Sequence, residues 1–435
     1  MPNQNRKTEL VLVVGFLAVI ASVPITQTGL ELSRHQRVQF TDVFRYRPTA
    51  SNLRQFEHTL EEKSWFQQTL RPKMQWLYFK VLRDTGAKGV SGNGRWLFYR
   101  PDLRYLVDPD RLETKASASK WVEPVESRSR RESVERAILR VRDQLKERGI
   151  ALLVVPVPGK PSVYPDRVTR REAGKPQHVQ SPTQKLIETL RREGVPTVDL
   201  FSVFSSARTH GRGAETNAQL YLACDTHWTP QGAQLAAQSV AAQLREMECA
   251  PTPSKEFKNQ PVSIARWGDI LEMMQIPGAR EDYPAEKVAC TQVLDPSTGL
   301  LVPTASDRPG TYRYPGQGTS VLVLGDSFCR IYQFPEPQSL GDAPATAASG
   351  RTGETSVKRL LPGSAGFISH LALALKSPVD AIVSDGGAST DVRRKLSTNP
   401  EILEGKKVVV WEFVERDIAL GQQGWEDVPL PTKLD

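Results

Sequence analysis

The sequence lacks the features of a disordered, fibrous or multi-span membrane protein. Of its 435 residues, 39% are hydrophobic and 24% are charged, which is the usual composition of a globular chain. Glycine (30 residues) and proline (32 residues) are too few for a collagen-like or low-complexity protein. The same composition has no excess of apolar residues and so excludes a transporter with several membrane spans. The length favours two to three domains.

A nucleic-acid-binding motif is also missing. The net charge of +8 favours acidic partners, such as an anionic polymer, a membrane surface or nucleic acid. The basic residues are scattered along the chain, however, and we interpret them as a solvated basic surface. We therefore expect no nucleic-acid partner.

One apolar run near the N-terminus indicates the compartment. Leu10–Gly29 carries no charged residue, and twenty helical residues span about 30 Å, the thickness of the hydrocarbon core. Arg6 and Lys7 precede the run, which places the N-terminus in the cytoplasm and the rest of the chain across the membrane. We predict an uncleaved signal anchor over residues 1–32. A cleaved signal peptide is the main alternative, which Pro24 disfavours, and a buried core helix is a third.

The four cysteines do not form a Cys-x-x-Cys pair, so a zinc ribbon or thioredoxin-like site is disfavoured. An even number of cysteines in an exported protein permits disulfides. Cys249 and Cys290 lie in the most irregular part of the sequence, and they are our first candidates for a bridge.

The periodicity of apolar residues predicts a helical extension over 33–130, packed on an α/β catalytic domain over 131–435. In the second region short apolar runs alternate with helical stripes, which predicts a mostly parallel sheet covered on both faces. The predicted strands are at 150–155, 196–199, 321–324, 381–383 and 407–411. Two stretches interrupt the alternation: a proline-rich, irregular insertion at 250–319 and a loop at 336–363.

A serine follows one predicted strand. The run at 321–324 leads into Gly325-Asp326-Ser327, and open α/β sheets bind their ligands beyond the carboxyl ends of the strands. Gly325 allows a sharp turn that would lift the serine hydroxyl out of the sheet. The alternative is a strand-to-helix turn in which Ser327 caps the helix.

A histidine motif precedes another predicted helix. In Asp225-Thr-His227-Trp, the carboxylate can bind imidazole Nδ1 and leave Nε2 free as a base, which a serine nucleophile needs. The alternative is a capping aspartate beside a structural histidine. Together the two motifs predict a triad of Ser327, His227 and Asp225. A metal site is disfavoured, because no second histidine lies at ligand spacing.

Two basic residues are candidate substrate ligands. Lys160 follows the first strand of the sheet, where it could meet an anionic sugar, or it is a surface lysine of a rigid turn. Arg416 follows the last strand, and it either binds a carboxylate or holds its loop through Glu415 or Asp417.

The two motifs in this order resemble the alginate O-acetyltransferases of the AlgJ and AlgX type, which are SGNH-hydrolase-like proteins with a permuted motif order. Ordinary SGNH hydrolases carry the serine block first and an Asp-x-x-His block last, whereas here Asp225-Thr-His227 precedes Ser327. Further similarity extends from residue 40 onward, in Gly94–Arg100, Pro156–Lys160, Gly268-Asp269-Ile270, Ala365–Phe367 and Trp411–Asp417.

The resemblance implies a three-layer, flavodoxin-like fold and a polysaccharide O-acetyltransferase of alginate-like exopolysaccharide synthesis. It implies an inner-membrane protein with one span, its catalytic domain in the periplasm, that takes acetyl from a membrane-bound O-acyltransferase. Ser327 would be the nucleophile, His227 the base and Asp225 its orienting group. No metal or other cofactor is expected.

The sequence departs from the SGNH pattern at one position. The asparagine that SGNH enzymes place in the oxyanion hole is missing between Ser327 and Asn399, although the backbone N–H of Ser327 should still contribute. Two alternatives stay open: an esterase or deacetylase with the same triad, and a non-catalytic glycan-binding scaffold.

Overall fold

The computed structural model describes most of the chain. The described residues are 3–38, nine scattered positions between 41 and 65, 69–107, 127–172, 180–210, 219–297, 299, 304–305, 311–313, 319–334, 363–421 and 424–430. The predicted loop at 336–363 lies outside them, apart from Gly363. The chain divides into two compact units, one of Met1–Gly86 with Gln275–Ala279, the other of Ala87–Met274 with Arg280–Asp435.

The smaller unit contains helices α1 (Asn3–Ser33) and α2 (Arg71–Leu82). Within α1, the 24 residues Leu10–Ser33 have a mean hydropathy of 2.3 and are long and apolar enough to cross a membrane. The predicted anchor is therefore a continuous helix. Pro24 lies inside it.

Among the residues that the structure describes, the larger unit carries ten strands and most of the helices. Its strands are β1 (Gly89–Ser91), β2 (Leu97–Tyr99), β3 (Ala151–Val157), β4 (Lys258–Arg266), β5 (Glu286–Leu294), β6 (Thr304–Ala305), β7 (Thr311–Arg313), β8 (Val321–Gly325), β9 (Asp380–Val383) and β10 (Val408–Val414). Its helices begin with α3 (Arg100–Val107), α4 (Ser127–Lys146), α5 (Lys160–Val163), α6 (Pro165–Val168), α7 (Pro182–Arg192), α8 (Leu200–His210) and α9 (Pro230–Glu246). They continue with α10 (Asp269–Met274), α11 (Ala279–Asp282), which begins at the unit boundary, α12 (Ser327–Arg330), α13 (Phe367–Leu375), α14 (Asp391–Ser397) and α15 (Asp417–Leu420). Short 3-10 helices span Arg170–Glu172 and Pro400–Leu403.

The larger unit begins before the boundary that the sequence suggests. Strands β1 and β2 and helix α3 lie in it, although the predicted helical extension runs to residue 130.

A six-stranded sheet organises the larger unit, in the order β3-β10-β8-β9-β7-β6. The first four strands are mutually parallel, with Val408 opposite both Ala151 and Val321. Strands β7 and β6 join antiparallel at one edge. The predicted strand at 196–199 contributes a single parallel bridge, between Thr197 and Val154.

The sheet is buried on both faces, as the continuous apolar runs predict. On β3, Leu153, Val155 and Val157 enter a core that includes residues of α9 and α13. Leu152 and Val154 enter the opposite core, with residues of α4 and α14. This helix–sheet–helix sandwich confirms the predicted fold class.

Two predictions about the insertion at 250–319 are corrected. It contains a regular antiparallel strand pair, in which β4 pairs with β5 from Lys258↔Leu294 to Arg266↔Glu286. All four cysteines are free thiols, so the predicted Cys249–Cys290 bridge is wrong. The proline-rich composition of this segment therefore did not predict its regular strands, and its cysteines did not form the expected disulfide.

Candidate active site

The serine lies at a sharp turn at the carboxyl end of β8. Ser327 is the first residue of α12, and Asp326 caps that helix by accepting from the backbone N–H of Phe328 at 2.8 Å. The second carboxylate oxygen of Asp326 accepts from the N–H of Val414 at 3.1 Å. Because Asp326 is the cap, the Ser327 hydroxyl is not needed for that purpose.

Position 325, two residues before Ser327, requires glycine. A Cβ on Gly325 would lie 2.4 Å from the Cys329 Sγ and 2.7 Å from a Glu412 Oε2. The turn can therefore approach β10 and its own helix only without a side chain.

The histidine lies in a tight loop before α9. An antiparallel bridge joins Tyr221 to Trp228, and Thr229 caps α9 by accepting from the N–H of Gly232 at 3.2 Å. The bridge and the cap fix both ends of the segment that carries Asp225 and His227. The local sequence therefore forms a preorganised turn.

The structure brings the three predicted residues together. His227 Nε2 lies 2.8 Å from the Ser327 Oγ, and His227 Nδ1 lies 2.7 Å from an Asp225 Oδ1. The same Asp225 oxygen accepts from the backbone N–H of His227 at 3.0 Å. A carboxylate on Nδ1 holds a proton there and directs the Nε2 lone pair toward the serine. The hydrogen bonds expected from the sequence are present; the catalytic role of the three residues stays a prediction.

Arg266, on β4, stabilises the buried carboxylate. Asp225 is fully buried and its second oxygen accepts from Arg266 Nε at 3.0 Å and from the N–H of Asp269 at 3.2 Å. Burial opposes ionisation, but the Arg266 charge and the hydrogen bonds from His227 hold the pKa of Asp225 well below its usual range. Asp225 is therefore an anion.

The imidazole is a stronger base than an ordinary histidine. Burial by itself lowers the pKa of His227, but the hydrogen bond and charge of Asp225, followed by the charge of Asp269, raise it above its usual value. A histidine in this setting accepts a proton readily and holds it next to a carboxylate.

Asp269 is a member of the site that sequence reasoning did not assign. Its carboxylate accepts from the Thr226 N–H at 2.7 Å and from the Thr226 Oγ1 at 2.6 Å, and one oxygen lies 3.5 Å from His227 Nδ1. Burial and then the charge of Asp225 raise the pKa of Asp269 to about 6. The sequence feature that points to Asp269 is the segment Gly268-Asp269-Ile270, which is similar to the alginate O-acetyltransferases. Gly268 lies too close to the histidine loop for a side chain, because a Cβ there would lie 1.9 Å from the Cys224 carbonyl oxygen.

Three of these groups are close enough to hold a metal ion. Single ligand atoms of Asp225, His227 and Asp269 lie within 4.8 Å of one another. Arg266, Thr226 and Ser327 already hydrogen-bond to these groups. These hydrogen bonds already occupy the groups that a cation would use as ligands.

The predicted substrate contact of Lys160 is corrected. The residue is fully buried, and its Nζ donates to the carbonyl oxygens of Leu222, Ala223 and Asp225 at 3.1, 3.0 and 2.6 Å. Burial lowers the pKa of Lys160 to about 8, partly offset by the charge of Asp225. The buried ammonium group of Lys160 holds the backbone of residues 222–225, the loop that carries His227, and it is not accessible to a sugar.

Arg416 also has a structural position. Its Nη1 donates to an Asp102 Oδ1 at 3.0 Å, and its guanidinium lies 5.4 Å from the ring centroid of Tyr99 and 5.9 Å from that of Phe328. The side chain is 13% exposed. Asp102, rather than the expected Glu415 or Asp417, is the ion-pair partner of Arg416, and the predicted substrate contact of Arg416 stays a prediction.

A parallel sheet between two helical layers, with Ser, His and Asp joined in one chain of hydrogen bonds at its edge, is the architecture of an SGNH-hydrolase-like protein. The chain belongs to the family described as SGNH hydrolase-like domain, acetyltransferase AlgX, whose sequence model matches residues 90–343. That the motif order is permuted relative to other SGNH proteins stays a prediction.

Two curated relatives and one solved structure are similar to this chain over about three quarters of its length. The chain is 24% identical over 343 residues to the probable alginate O-acetylase AlgJ of Pseudomonas syringae pv. tomato, covering 78% of this chain and 71% of that protein. It is 24% identical over 354 residues to the same-named protein of Pseudomonas putida, covering 78% and 72%. Among solved structures, the O-acetyltransferase domain of Pseudomonas putida AlgJ aligns with a TM-score of 0.50 at 19% identity, covering 76% of this chain and 92% of that one. The structural likeness supports the fold alone.

Proposed function

We propose that this protein is a polysaccharide O-acetyltransferase that acts in the periplasm on an alginate-like exopolysaccharide. The observation that carries the proposal is the continuous hydrogen-bonded series from Ser327 through His227 to Asp225, with links of 2.8 and 2.7 Å. The membership of an acetyltransferase family and the relatives named alginate O-acetylases support the group transferred and the acceptor.

The first half-reaction forms an acetyl-serine. The Ser327 Oγ attacks the carbonyl carbon of an acetyl donor while His227 Nε2 takes the hydroxyl proton. The N–H of Ser327 donates to no group within the described ranges, and we assign it to the oxyanion of the tetrahedral intermediate. When that intermediate collapses, the leaving group takes the proton from His227.

The second half-reaction returns the enzyme to its starting state. A sugar hydroxyl gives its proton to His227 Nε2 and attacks the acetyl carbon, and Ser327 recovers the proton as it leaves. Throughout, Asp225 stabilises the imidazolium, and Arg266 holds Asp225 ionised. We propose that α1 anchors the protein in the inner membrane, near a membrane-bound O-acyltransferase that supplies the acetyl group.

Acetyl transfer is tested with an activated acetyl ester as donor and a deacetylated alginate oligosaccharide as acceptor. We expect O-acetylated oligosaccharide, and donor consumption that rises with acceptor concentration. A neutral oligosaccharide of equal length is the control. Acetate release at a rate indifferent to any glycan would instead identify an esterase, and binding of glycan without donor turnover would identify a scaffold.

Asp269→Asn tests the second carboxylate as a positioning residue. Removal of its charge should lower the pKa of His227, because that charge helps to raise it. Since the base must be neutral, the acidic limb of the kcat/KM profile should move to lower pH. At the plateau we expect a loss of about tenfold, equivalent to about 1.4 kcal/mol, for one weakened charge-assisted interaction.

Thr226→Val is the matched control for that experiment. It removes the hydroxyl that donates to Asp269 at 2.6 Å but leaves the carboxyl group itself in place. A purely structural Asp269 would give both variants the same loss and an unmoved profile. A profile shift confined to Asp269→Asn is the result that we expect.

A further inference from the structure

Helix α2 exposes an apolar face. Phe79 is 2% exposed, whereas Val81, Leu82, Tyr78 and Leu77 are 68%, 66%, 46% and 43% exposed. At 100° per residue, these four exposed residues fall within an arc of about 140°, and Phe79 points away from it. We call Leu77, Tyr78, Val81 and Leu82 the α2 face. A contiguous exposed apolar surface is a candidate interaction site.

Basic residues accompany the α2 face. Arg71, Lys73, Lys80 and Arg83 are exposed, and the segment 71–83 contains no aspartate or glutamate. Trp76, which is 43% exposed, and Tyr78 are the residue types that concentrate at membrane–water interfaces. Basic side chains beside an exposed apolar surface are attracted to an anionic lipid surface.

Two further features of α2, its length and the unit to which it belongs, favour a lipid surface as its partner. Its 12 residues extend about 18 Å, too short to cross a hydrocarbon core of about 30 Å. It belongs to the same compact unit as α1, which contains the candidate span Leu10–Ser33. A protein partner would have to offer an apolar groove rimmed by acids, whereas a membrane already adjoins this unit if α1 spans it.

We propose that α2 lies on the outer surface of the membrane that α1 spans. The α2 face enters the headgroup region, and Lys73 and Lys80, which flank one edge of that face, meet lipid phosphates. The inference rests on the proposed anchoring by α1, and it adds a second contact between the smaller unit and the bilayer.

The test uses the full chain in vesicles of phosphatidylethanolamine and phosphatidylglycerol. A nitroxide is attached at Val81→Cys in a Cys249→Ser background, since Cys224, Cys290 and Cys329 are buried. Glu188→Cys, on the exposed side of α7, is the matched control. Strong relaxation of the nitroxide by oxygen shows that it lies in lipid, because oxygen concentrates there. Strong relaxation by a water-soluble nickel chelate shows that the nitroxide lies in water.

We expect oxygen to dominate at position 81 and nickel to dominate at position 188. Nickel access at both positions would overturn the proposal, and so would protection of position 81 from both agents, which would mean that protein covers the face. Flotation of the vesicles reports anchoring by α1 separately. A chain that floats with position 81 in water would leave the anchor standing and the α2 contact disproved.

Charge removal tests the role of the basic residues. A contribution of about 1 kcal/mol for each basic residue near an anionic surface corresponds to about 30-fold for two. Lys73→Gln with Lys80→Gln should lower the ratio of membrane-bound to free α2 by that factor, and Lys185→Gln with Arg192→Gln, on α7, should leave it unchanged. Equal behaviour of the two pairs would overturn the assignment of these lysines to lipid phosphates.

Discussion

Ser327→Ala is expected to lower kcat for acetyl transfer by about 10⁴-fold or more, because the change removes the atom that forms the acyl-enzyme. The fold should be retained. Asp326, not Ser327, caps α12, and the hydroxyl contacts His227 Nε2 at the site surface. The measurements are steady-state transfer to the oligosaccharide and mass spectrometry of the intact chain after exposure to donor.

The wild-type chain should carry one acetyl group on Ser327 when acceptor is withheld, and Ser327→Ala should carry none. Ser202→Ala, an exposed serine of α8, is the control and should behave as the wild type. A well-folded Ser327→Ala protein with undiminished transfer would refute the acetyl-serine route and leave a glycan-binding protein.

His227→Ala is expected to reduce kcat by a similar factor, because the same imidazole serves both half-reactions. The residues of a triad act as a unit, so Ser327→Ala with His227→Ala should lower kcat little further than either change alone. A double-mutant cycle on kcat measures this directly. Losses that multiply would show that the two residues act independently, contrary to the proposed mechanism.

His227→Gln separates the loss of the base from the loss of packing. Its amide can still donate to the Asp225 carboxylate that now lies 2.7 Å from Nδ1, but it cannot accept the serine proton. We expect it to unfold at a temperature closer to that of the wild type than His227→Ala does, and to be equally inactive. Substantial activity in His227→Gln would exclude His227 as the general base.

Much of the fold could be predicted because its signals are local. Buried parallel strands appear as short apolar runs, and β8, β9 and β10 lie where such runs stand. Helix starts depend on residues within one turn, and at the start of α7 the segment Ser181-Pro-Thr-Gln184 forms a capping box between its first and last residues. The predicted strand at 196–199 forms a single parallel bridge to Val154, because the extent of strand pairing depends on a neighbour that is distant in sequence.

The candidate site was predictable where the partners are close in sequence. Asp225 and His227 lie two residues apart in one turn, and Ser327 follows a recognisable strand, so the sequence alone predicts their chemistry. Lys160 was misassigned because its environment is made by residues 222–225. Those carbonyl groups lie far along the chain and leave no local signal.

The sequence by itself determined the apolar N-terminal helix, the alternation of strands and helices, and the three residue types of the triad. Each follows from periodicity, capping or a motif within a few residues. Only the tertiary structure decided that Arg266 from β4 and Asp269 from α10 complete the site, holding Asp225 ionised and the histidine loop in place. Electrostatics acts through space, and a carboxylate buried by folding takes its pKa from whichever charges the packing places beside it.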